Sequence, residues 1–416
     1  MLFLYNTGVR IYFLLIWIAS FFKSKAQKWI IGRENWENKI PPNFKKYKNA
    51  WFHFASLGEY EQGKPLLEKF ISHFPEHKIV LTFFSPSGYE VRKNSPLAHL
   101  VLYLPLDTQA NAQKFIDLIN PEIVFITKYE YWYHFFTELK KRTIPLYMVS
   151  AIFRPQQSFF RFYGDLHRKI LKCVTHFFVQ NQASLSLLKT INIYNATCVG
   201  DTRFDTVSNT LNHVKFFPII KDFITDKPIL VAGSTWYKDE VLLAQLLKNH
   251  PDWKLIIAPH EIGHSRINEI ENRFLNCVKY TSIAASPLPY KALKNHQTLI
   301  IDTIGMLSML YQYGHIAYIG GGFGAGIHNT LEAAAFGLPV IFGPKYQKFA
   351  EAKDLIKIKA AFSVVKQADL NDTFAKLSSD NQFCTQAGAK ARVYIQRHIG
   401  ASQKIIDFVL LHPFYK

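Results

Sequence analysis

From about residue 50 onward, short apolar runs alternate with stretches of helical spacing or turn residues. Residues 50–55, 78–84, 100–104, 123–127, 144–150, 176–179 and 195–199 read as strands. The segments between them read as helices and turns, so the pattern is β-α-β and predicts a parallel sheet covered by helices on both faces. Residues 205–226 form a helical or irregular connector, and Asp226-Lys227-Pro228 marks a boundary. A second alternation follows, with strands expected at 229–232, 253–258, 298–301, 316–319, 340–342 and 361–365, and a helical segment at 392–416. The fold expected is therefore α/β, with two consecutive doubly wound, Rossmann-like domains. That layout suggests a two-lobed nucleotide-sugar transferase, with ligands in a cleft beyond the C-terminal ends of the strands.

The first 22 residues follow a different pattern. They are apolar and aromatic, broken by Asn6 and Arg10, and are followed by Lys23, Lys25, Lys28 and Arg33. A cleaved signal peptide carries its charge first and a small-residue cleavage site last; here the order is reversed and no A-x-A site occurs. The uninterrupted part, 11–22, is shorter than the roughly 20 residues that span a bilayer. The segment reads as a membrane-anchoring helix, inserted shallowly or obliquely, with a basic collar on the cytoplasmic side. A buried core helix is the alternative.

Composition sharpens this picture. The chain has 416 residues, too many for one ordinary core. Its net charge of +18 favours an anionic partner, whether nucleic acid, a phosphorylated substrate or an anionic membrane. Cys173, Cys198, Cys277 and Cys384 are widely spaced, which fits a reducing compartment and provides neither a zinc knuckle nor a disulfide frame.

The most informative motif is Gly320-Gly321-Gly322-Phe323-Gly324-Ala325-Gly326-Ile327-His328-Asn329-Thr330-Leu331-Glu332, placed between an apolar run and a small-residue helix. Glycines admit close approach of a ligand, and a helix N-terminus offers free N–H groups. Asn329 and Glu332 share one face of the first turn, where a carboxylate can accept both hydroxyls of a ribose. Capping of the helix by the same two residues is the alternative. In the first domain, His53-Phe54-Ala55-Ser56-Leu57-Gly58-Glu59 closes a strand and puts Glu59 at a helix start. There it can take a proton from a hydroxyl or simply serve the helix dipole. Lys128-Tyr129-Glu130-Tyr131-Trp132 closes another strand at the same sheet edge, so Glu130 can face the same cleft.

Arg203, in Gly200-Asp201-Thr202-Arg203-Phe204-Asp205, can reach a phosphate or pair with Asp201 or Asp205. Arg154 ends a further strand and can face an anionic acceptor. Ser234 and Thr235 end the first strand of the second domain, suiting a phosphate or a helix N-cap. Gly305, in Asp302-Thr303-Ile304-Gly305, and the amides after it can line a pocket for a base or phosphate. His260-Glu261-Ile262-Gly263-His264 matches H-E-x-x-H, but it follows a strand and Pro259 and contains a glycine. Zinc hydrolysis is therefore rejected. With no D-x-D cluster, no metal or other cofactor is expected.

Taken in order, these stretches resemble the 3-deoxy-D-manno-octulosonic acid (Kdo) transferases of lipopolysaccharide synthesis, in their Bacteroidetes-type form. The shared features are the apolar N-terminus, H-x-A-S-x-G-E at His53–Glu59, Glu130-x-Trp132, G-D-x-[KR]-F-D at Gly200–Asp205, D-T-x-G at Asp302–Gly305 and G-G-G…H-N-x-L-E-A at Gly320–Ala333. The resemblance implies a GT-B fold, membrane association and inverting transfer of Kdo from CMP-Kdo to a lipid A precursor (lipid IVA). By resemblance, Glu59 is the general base, and Glu130 and Arg203 stabilise the transition state. Pro259, His260, Gly305, Met306, Leu307, Asn329, Thr330, Leu331 and Glu332, with Ser234 and Thr235, would hold the donor. Ser56, Gly58 and Arg154 would face the acceptor. Many relatives have Pro-Arg where this chain has Pro259-His260, and a common Lys is replaced by Arg203.

The domains expected are a membrane anchor and basic collar at 1–36, an acceptor domain at 37–207, a CMP-sugar domain at 208–395, and a C-terminal helix at 396–416 returning to the first domain. The enzyme is expected at the inner membrane, facing the cytoplasm, with the lipid surface as a partner and no nucleic acid. Two rivals are another GT-B transferase using a UDP-sugar and a lipid acceptor, and a non-catalytic basic membrane binder.

Overall fold

The computed structural model describes residues 1–285 and 290–414. Tyr415 and Lys416, at the end of the expected C-terminal helical stretch, lie outside them. The chain divides into two units, Met1–Thr206 with His398–Lys416, and Val207–Arg397.

The sheet of the first unit contains β1 (Asn49–Phe54), β2 (Lys78–Phe83), β3 (Leu100–Tyr103), β4 (Pro121–Thr127), β5 (Leu146–Ala151), β6 (His176–Val179) and β7 (Ala196–Cys198). Their order is β3-β2-β1-β4-β5-β6-β7, and neighbouring strands run parallel. Every residue of β1 is buried because helices cover both faces of the sheet. Trp51 joins one core with Val80, Phe115, Val124 and Phe135, while Ala50, Phe52 and Phe54 join the other with Leu67, Phe70 and Phe125. The helix Ala401–Leu411 supplies Ile405, Ile406 and Val409 to that second core. Its start is held by Asp205, which accepts from the N–H groups of Gly400 (2.5 Å) and Ser402 (2.7 Å).

The sheet of the second unit is β8 (Ile229–Thr235), β9 (Lys254–Pro259), β10 (Cys277–Lys279), β11 (Thr298–Ile300), β12 (Ile316–Ile319), β13 (Val340–Phe342) and β14 (Ala361–Ser363). It is ordered β10-β11-β9-β8-β12-β13-β14, again with parallel neighbours. Among the described residues, only β10 lacks a counterpart among the strands expected from the hydrophobic pattern. It is an edge strand, half-buried throughout and ending in a lysine, so it forms no continuous apolar run. In each sheet the chain order reverses beside the first strand, at β1/β4 and at β8/β12. Open parallel sheets bind ligands at such reversals.

The N-terminus forms α1 (Leu2–Ser20) and α2 (Ser24–Ile31). Asn6 and Arg10 do not interrupt α1, which runs continuously for 19 residues, about 28 Å at the usual rise. It is long and apolar enough to cross a membrane by length and composition. None of its residues is buried, which sets aside the core-helix alternative. Arg33 is not part of an exposed collar. Its buried guanidinium lies 3.7 Å over the Trp29 ring and donates to the carbonyls of Trp29, Phe84 and Leu104. Burial lowers its pKa to about 9. Lys23, Lys25 and Lys28 remain exposed.

Candidate active site

Glu59 sits in the first turn of α3 (Leu57–His73), immediately beyond β1. Gly63 lets this helix approach the sheet, since a Cβ there would stand 2.4 Å from the Phe54 ring. The Glu59 carboxylate accepts from the Ala55 N–H at 2.6 Å, and the Ser56 backbone also reaches it. The carboxylate therefore also ties down the backbone at the helix start. Burial nevertheless outweighs these bonds, and with the repulsion of Glu130 it lifts the Glu59 pKa to about 7; the Ala55 bond and Lys128 pull the other way. The side chain of Ser56 makes no cap bond, and Gly58 is exposed beside it.

Glu130 follows β4 on the other side of the β1/β4 reversal. The turn into it starts at Lys128, whose φ of 65° is a left-handed value that a non-glycine residue adopts at a cost of about 1–3 kcal/mol. One carboxylate oxygen, Oε2, accepts from the Trp132 indole at 2.9 Å and lies 3.4 Å from Nε2 of His53. His53 Nδ1 is 2.8 Å from the Thr82 hydroxyl, which also accepts from the Trp51 indole at 2.7 Å. With Thr82 donating to Nδ1, the proton of a neutral His53 sits on Nε2 and points at Glu130. Trp51, His53 and Thr82 are fully buried, so the relay is fixed by the core.

Cations gather at the same edge. Arg203 is held by Asp201, with Nε at 2.8 Å and Nη2 at 2.7 Å from Oδ2. Asp201 in turn accepts from Gln62 at 2.7 Å. Of the two carboxylates offered by the sequence, Asp201 takes the arginine and Asp205 caps the C-terminal helix. Arg154 is exposed, its guanidinium 6.0 Å from the Tyr129 ring centre. Tyr129 feels Arg154, Arg203 and Glu59 together, so four strand ends place these groups in one electrostatic neighbourhood.

In the second unit, Ser234 has a φ of 52° where β8 bulges, and Thr235 directs its hydroxyl into the protein, donating to the buried Glu240 at 3.2 Å. Two bonds from half-buried arginines, Arg266 (2.5 Å) and Arg273 (2.8 Å), complete the surroundings of Glu240. The glycine loop serves backbone packing as well as openness. A Cβ on Gly320 would stand 2.3 Å from the Ser234 carbonyl oxygen. The loop is tied down by Asp239, which accepts from the N–H groups of Gly321 and Trp236, each at 2.9 Å. The following helix, Leu331–Ala335, has only five residues, so its dipole is smaller than the motif suggested. Asn329 caps it through the Leu331 N–H (3.1 Å) and donates to Glu332 at 2.9 Å. Leu331 and Thr330 are buried, and the Thr330 hydroxyl has no hydrogen-bond partner among the described residues.

Pro259 is buried at the end of β9, and His260 beyond it is exposed. His260 stacks between Trp236 (4.7 Å) and His328 (4.4 Å), each at 25°. The Trp236 indole donates to His328 Nε2 at 3.0 Å. Burial and the neighbouring His260 lower the His328 pKa to about 4, so His328 is neutral near pH 7. His264 opens the next helix, His264–Arg273, so the two histidines of the H-E-x-x-H match do not share a helix. Gly305 is exposed with a φ of 91°, and Met306 and Leu307 are half-buried beyond it. Asp302 accepts from the Thr281 N–H at 3.0 Å.

The family model described as 3-deoxy-D-manno-octulosonic-acid transferase (kdotransferase) matches residues 32–206, which carry both carboxylates and Arg203. The Kdo transferase of Aquifex aeolicus is 28% identical over 81% of this chain and 88% of its own length. That of Haemophilus influenzae is 26% identical over 88% of this chain and 87% of its own. Residues 32–206 thus carry the Kdo transferase domain, and the chain is similar to Kdo transferases over most of its length.

It is accordingly a glycosyltransferase. Its fold is GT-B, like that of two solved structures covering nearly all of their own chains. The UDP-GlcNAc 2-epimerase of Neisseria meningitidis aligns with a TM-score of 0.62 at 16% identity, over 88% of this chain and 100% of that one. Acinetobacter baumannii MurG aligns with a TM-score of 0.53 at 15% identity, over 87% and 99%.

Several residues around the candidate site escaped the sequence reading. Thr82, Trp51, Trp236 and Asp239 lie in no motif, and of these Trp236, directly after Thr235, sits where a strand-end search would find it; Tyr129 and His328 stand inside quoted motifs but were assigned no role. The others act through side-chain contacts between segments distant in sequence.

Proposed function

We propose that this protein transfers Kdo from CMP-Kdo to a lipid A precursor, lipid IVA, with inversion, at the cytoplasmic face of the inner membrane. The observation that carries this reading is the Glu59 carboxyl, poised at a pKa of about 7 at a sheet reversal beside Glu130. A base with that pKa is substantially ionised at neutral pH and still basic enough to accept a hydroxyl proton. The acceptor oxygen attacks the anomeric carbon of Kdo and its proton passes to Glu59. The bond to CMP breaks, and CMP leaves with the electron pair. CMP is a weakly basic leaving group, so little acid assistance is needed.

Arg203, oriented by Asp201, and Glu130, oriented by Trp132 and His53, stabilise the charge that develops. The donor-side residues are Ser234, His260, Gly305, Met306, Asn329 and Glu332. Thr235, Thr330 and Leu331 support them from inside the fold, because their side chains are buried or already bonded. On the acceptor side, Ser56, Gly58 and Arg154 offer an open turn and a cation to a phosphorylated sugar.

The apolar α1 with Lys23, Lys25 and Lys28 behind it suits an anionic membrane surface. Tyr5 and Asn6 of α1 bond Asp107 and His134 of the first unit, which favours a helix lying along the membrane surface over one crossing it. Incubation with CMP-Kdo and tetra-acylated lipid A precursor, with products read by mass spectrometry, tests the reading. Kdo-sized additions with wild type and none with Glu59→Ala are expected. Products from UDP-sugars and none from CMP-Kdo would overturn it.

A further inference from the structure

An apolar cavity of about 450 Å³ opens in the first unit between α1 and the loops that follow β2, β3 and β4. Gly8, Val9 and Tyr12 of α1 form one wall, and Phe84, Leu106 and Trp132 form the other. This volume lies in the range of cavities that hold one small ligand. Tyr5, Asp107 and Trp132, three of the polar side chains on its walls, are already engaged. The Tyr5 hydroxyl donates to Asp107, and Asp107 also accepts from the N–H groups of His134 and Phe135, each at 3.1 Å. A polar occupant would therefore find few partners, whereas a hydrocarbon needs none.

Three further features point to one kind of hydrocarbon. First, Trp132 is both wall and link, because its indole N–H is the donor to Glu130 at 2.9 Å. Whatever lies against this ring has its head beside the candidate catalytic carboxylates. Second, the opposite side of α1 exposes Phe3, Leu4, Ile11, Leu14, Leu15 and Ile18, so the one helix carries the cavity wall on one side and the face offered to a bilayer on the other. Third, Gly8 sits inside a helix at a cost of about 1 kcal/mol relative to Ala, and a Cβ built on it meets nothing within 4 Å. Backbone geometry does not require glycine there; its effect is to keep the cavity wall low.

We infer that this cavity receives one acyl chain of the membrane-lipid acceptor, setting the sugar hydroxyl at Glu59 and Glu130. The inference rests on the acceptor assigned above. α1 is then part of the acceptor site as well as the anchor, and acceptor selectivity depends on acylation.

The test uses full-length protein in detergent micelles and a lipid A-type disaccharide carrying a diazirine at the end of its acyl chains. Cross-links mapped by mass spectrometry should fall on residues 5–12 and on the peptides containing Phe84, Leu106 or Trp132, and should drop at least five-fold in Gly8→Leu. Gly8→Leu should also lower the ratio of kcat/KM for the acylated acceptor over the fully deacylated one at least ten-fold, with Gly8→Ala intermediate. Cross-links confined elsewhere would overturn the inference. So would equal labelling by a diazirine phosphatidylethanolamine that the acceptor does not displace, since the cavity would then hold bulk lipid. Absence of Kdo transfer to either acceptor by wild type would instead sink the proposed function, while the cross-link map would still report on the cavity.

Discussion

His53 Nε2 and Glu130 Oε2 lie 3.4 Å apart across the β1/β4 reversal, joining a fully buried imidazole to a candidate catalytic carboxylate. The separation is long for a hydrogen bond, and such contacts often tighten only when substrate binds. The imidazole is aimed by Thr82, a residue of β2, so Glu130 takes its orientation from a neighbouring strand.

Thr82→Val keeps the side-chain shape and removes the hydroxyl that sets the His53 tautomer. A hydrogen bond to a charged group contributes about 1.5–3 kcal/mol, equivalent to roughly 10–100-fold in rate. We expect kcat to fall by that factor in Thr82→Val and His53→Phe, with KM for CMP-Kdo within about two-fold of wild type. Steady-state kinetics separates this from a folding defect, which would reduce active enzyme without a consistent split between the two variants.

Glu59 must be ionised to act as base. With its pKa at about 7, kcat/KM should rise with pH as a single ionisation and level off above about pH 8. Glu59→Gln should lose about 10²–10⁴-fold activity and the acid limb with it. An acid limb retained in the residual activity would assign the titration to another group.

The same shift has a stability consequence. The folded-state pKa of Glu59 is raised above its unfolded value of 4.5. Below pH 4.5 both states hold the proton and the group contributes nothing. As pH climbs from 4.5 to about 7 the unfolded state ionises first, so stability is lost, by on the order of 3 kcal/mol in full. Glu59→Gln should therefore raise Tm by several degrees at pH 8, with the gain vanishing below pH 4.5. Thermal denaturation at both pH values checks this.

Trp236 supports His260 by stacking and His328 by a hydrogen bond. Trp236→Ala removes both. An aromatic pair contributes about 0.5–1.5 kcal/mol, so KM for CMP-Kdo should rise roughly 2–12-fold, with a smaller change in kcat. An unchanged KM would remove His260 from the donor side.

Much of the architecture was legible from hydrophobic runs alone, because strands covered on both faces are written as short continuous apolar segments. Thirteen of the fourteen strands among the described residues coincide with such runs. The exception, β10, is half-buried throughout and ends in a lysine. The positions of Glu59 and Glu130 were legible for a related reason: a parallel sheet delivers every strand end to the same edge, so motifs after different strands meet there.

Other assignments needed the tertiary structure. A sequence cannot tell which carboxylate an arginine pairs with, and here Asp201 takes Arg203 while Asp205 caps a helix nearly 200 residues away. The glycines at 320 and 322 looked like ligand-approach residues, yet the close neighbours that demand them are the backbones of Ser234 and Gly343. Arg33 read as one of four collar cations and is buried among three carbonyls. The amino-acid order thus determined the two parallel sheets and the edge at which chemistry is placed, since local periodicity encodes burial. Which side chains touch at that edge, what raises the pKa of Glu59 and what holds Glu130 were decided only by packing, because those interactions join residues whose separation along the chain carries no periodic signal.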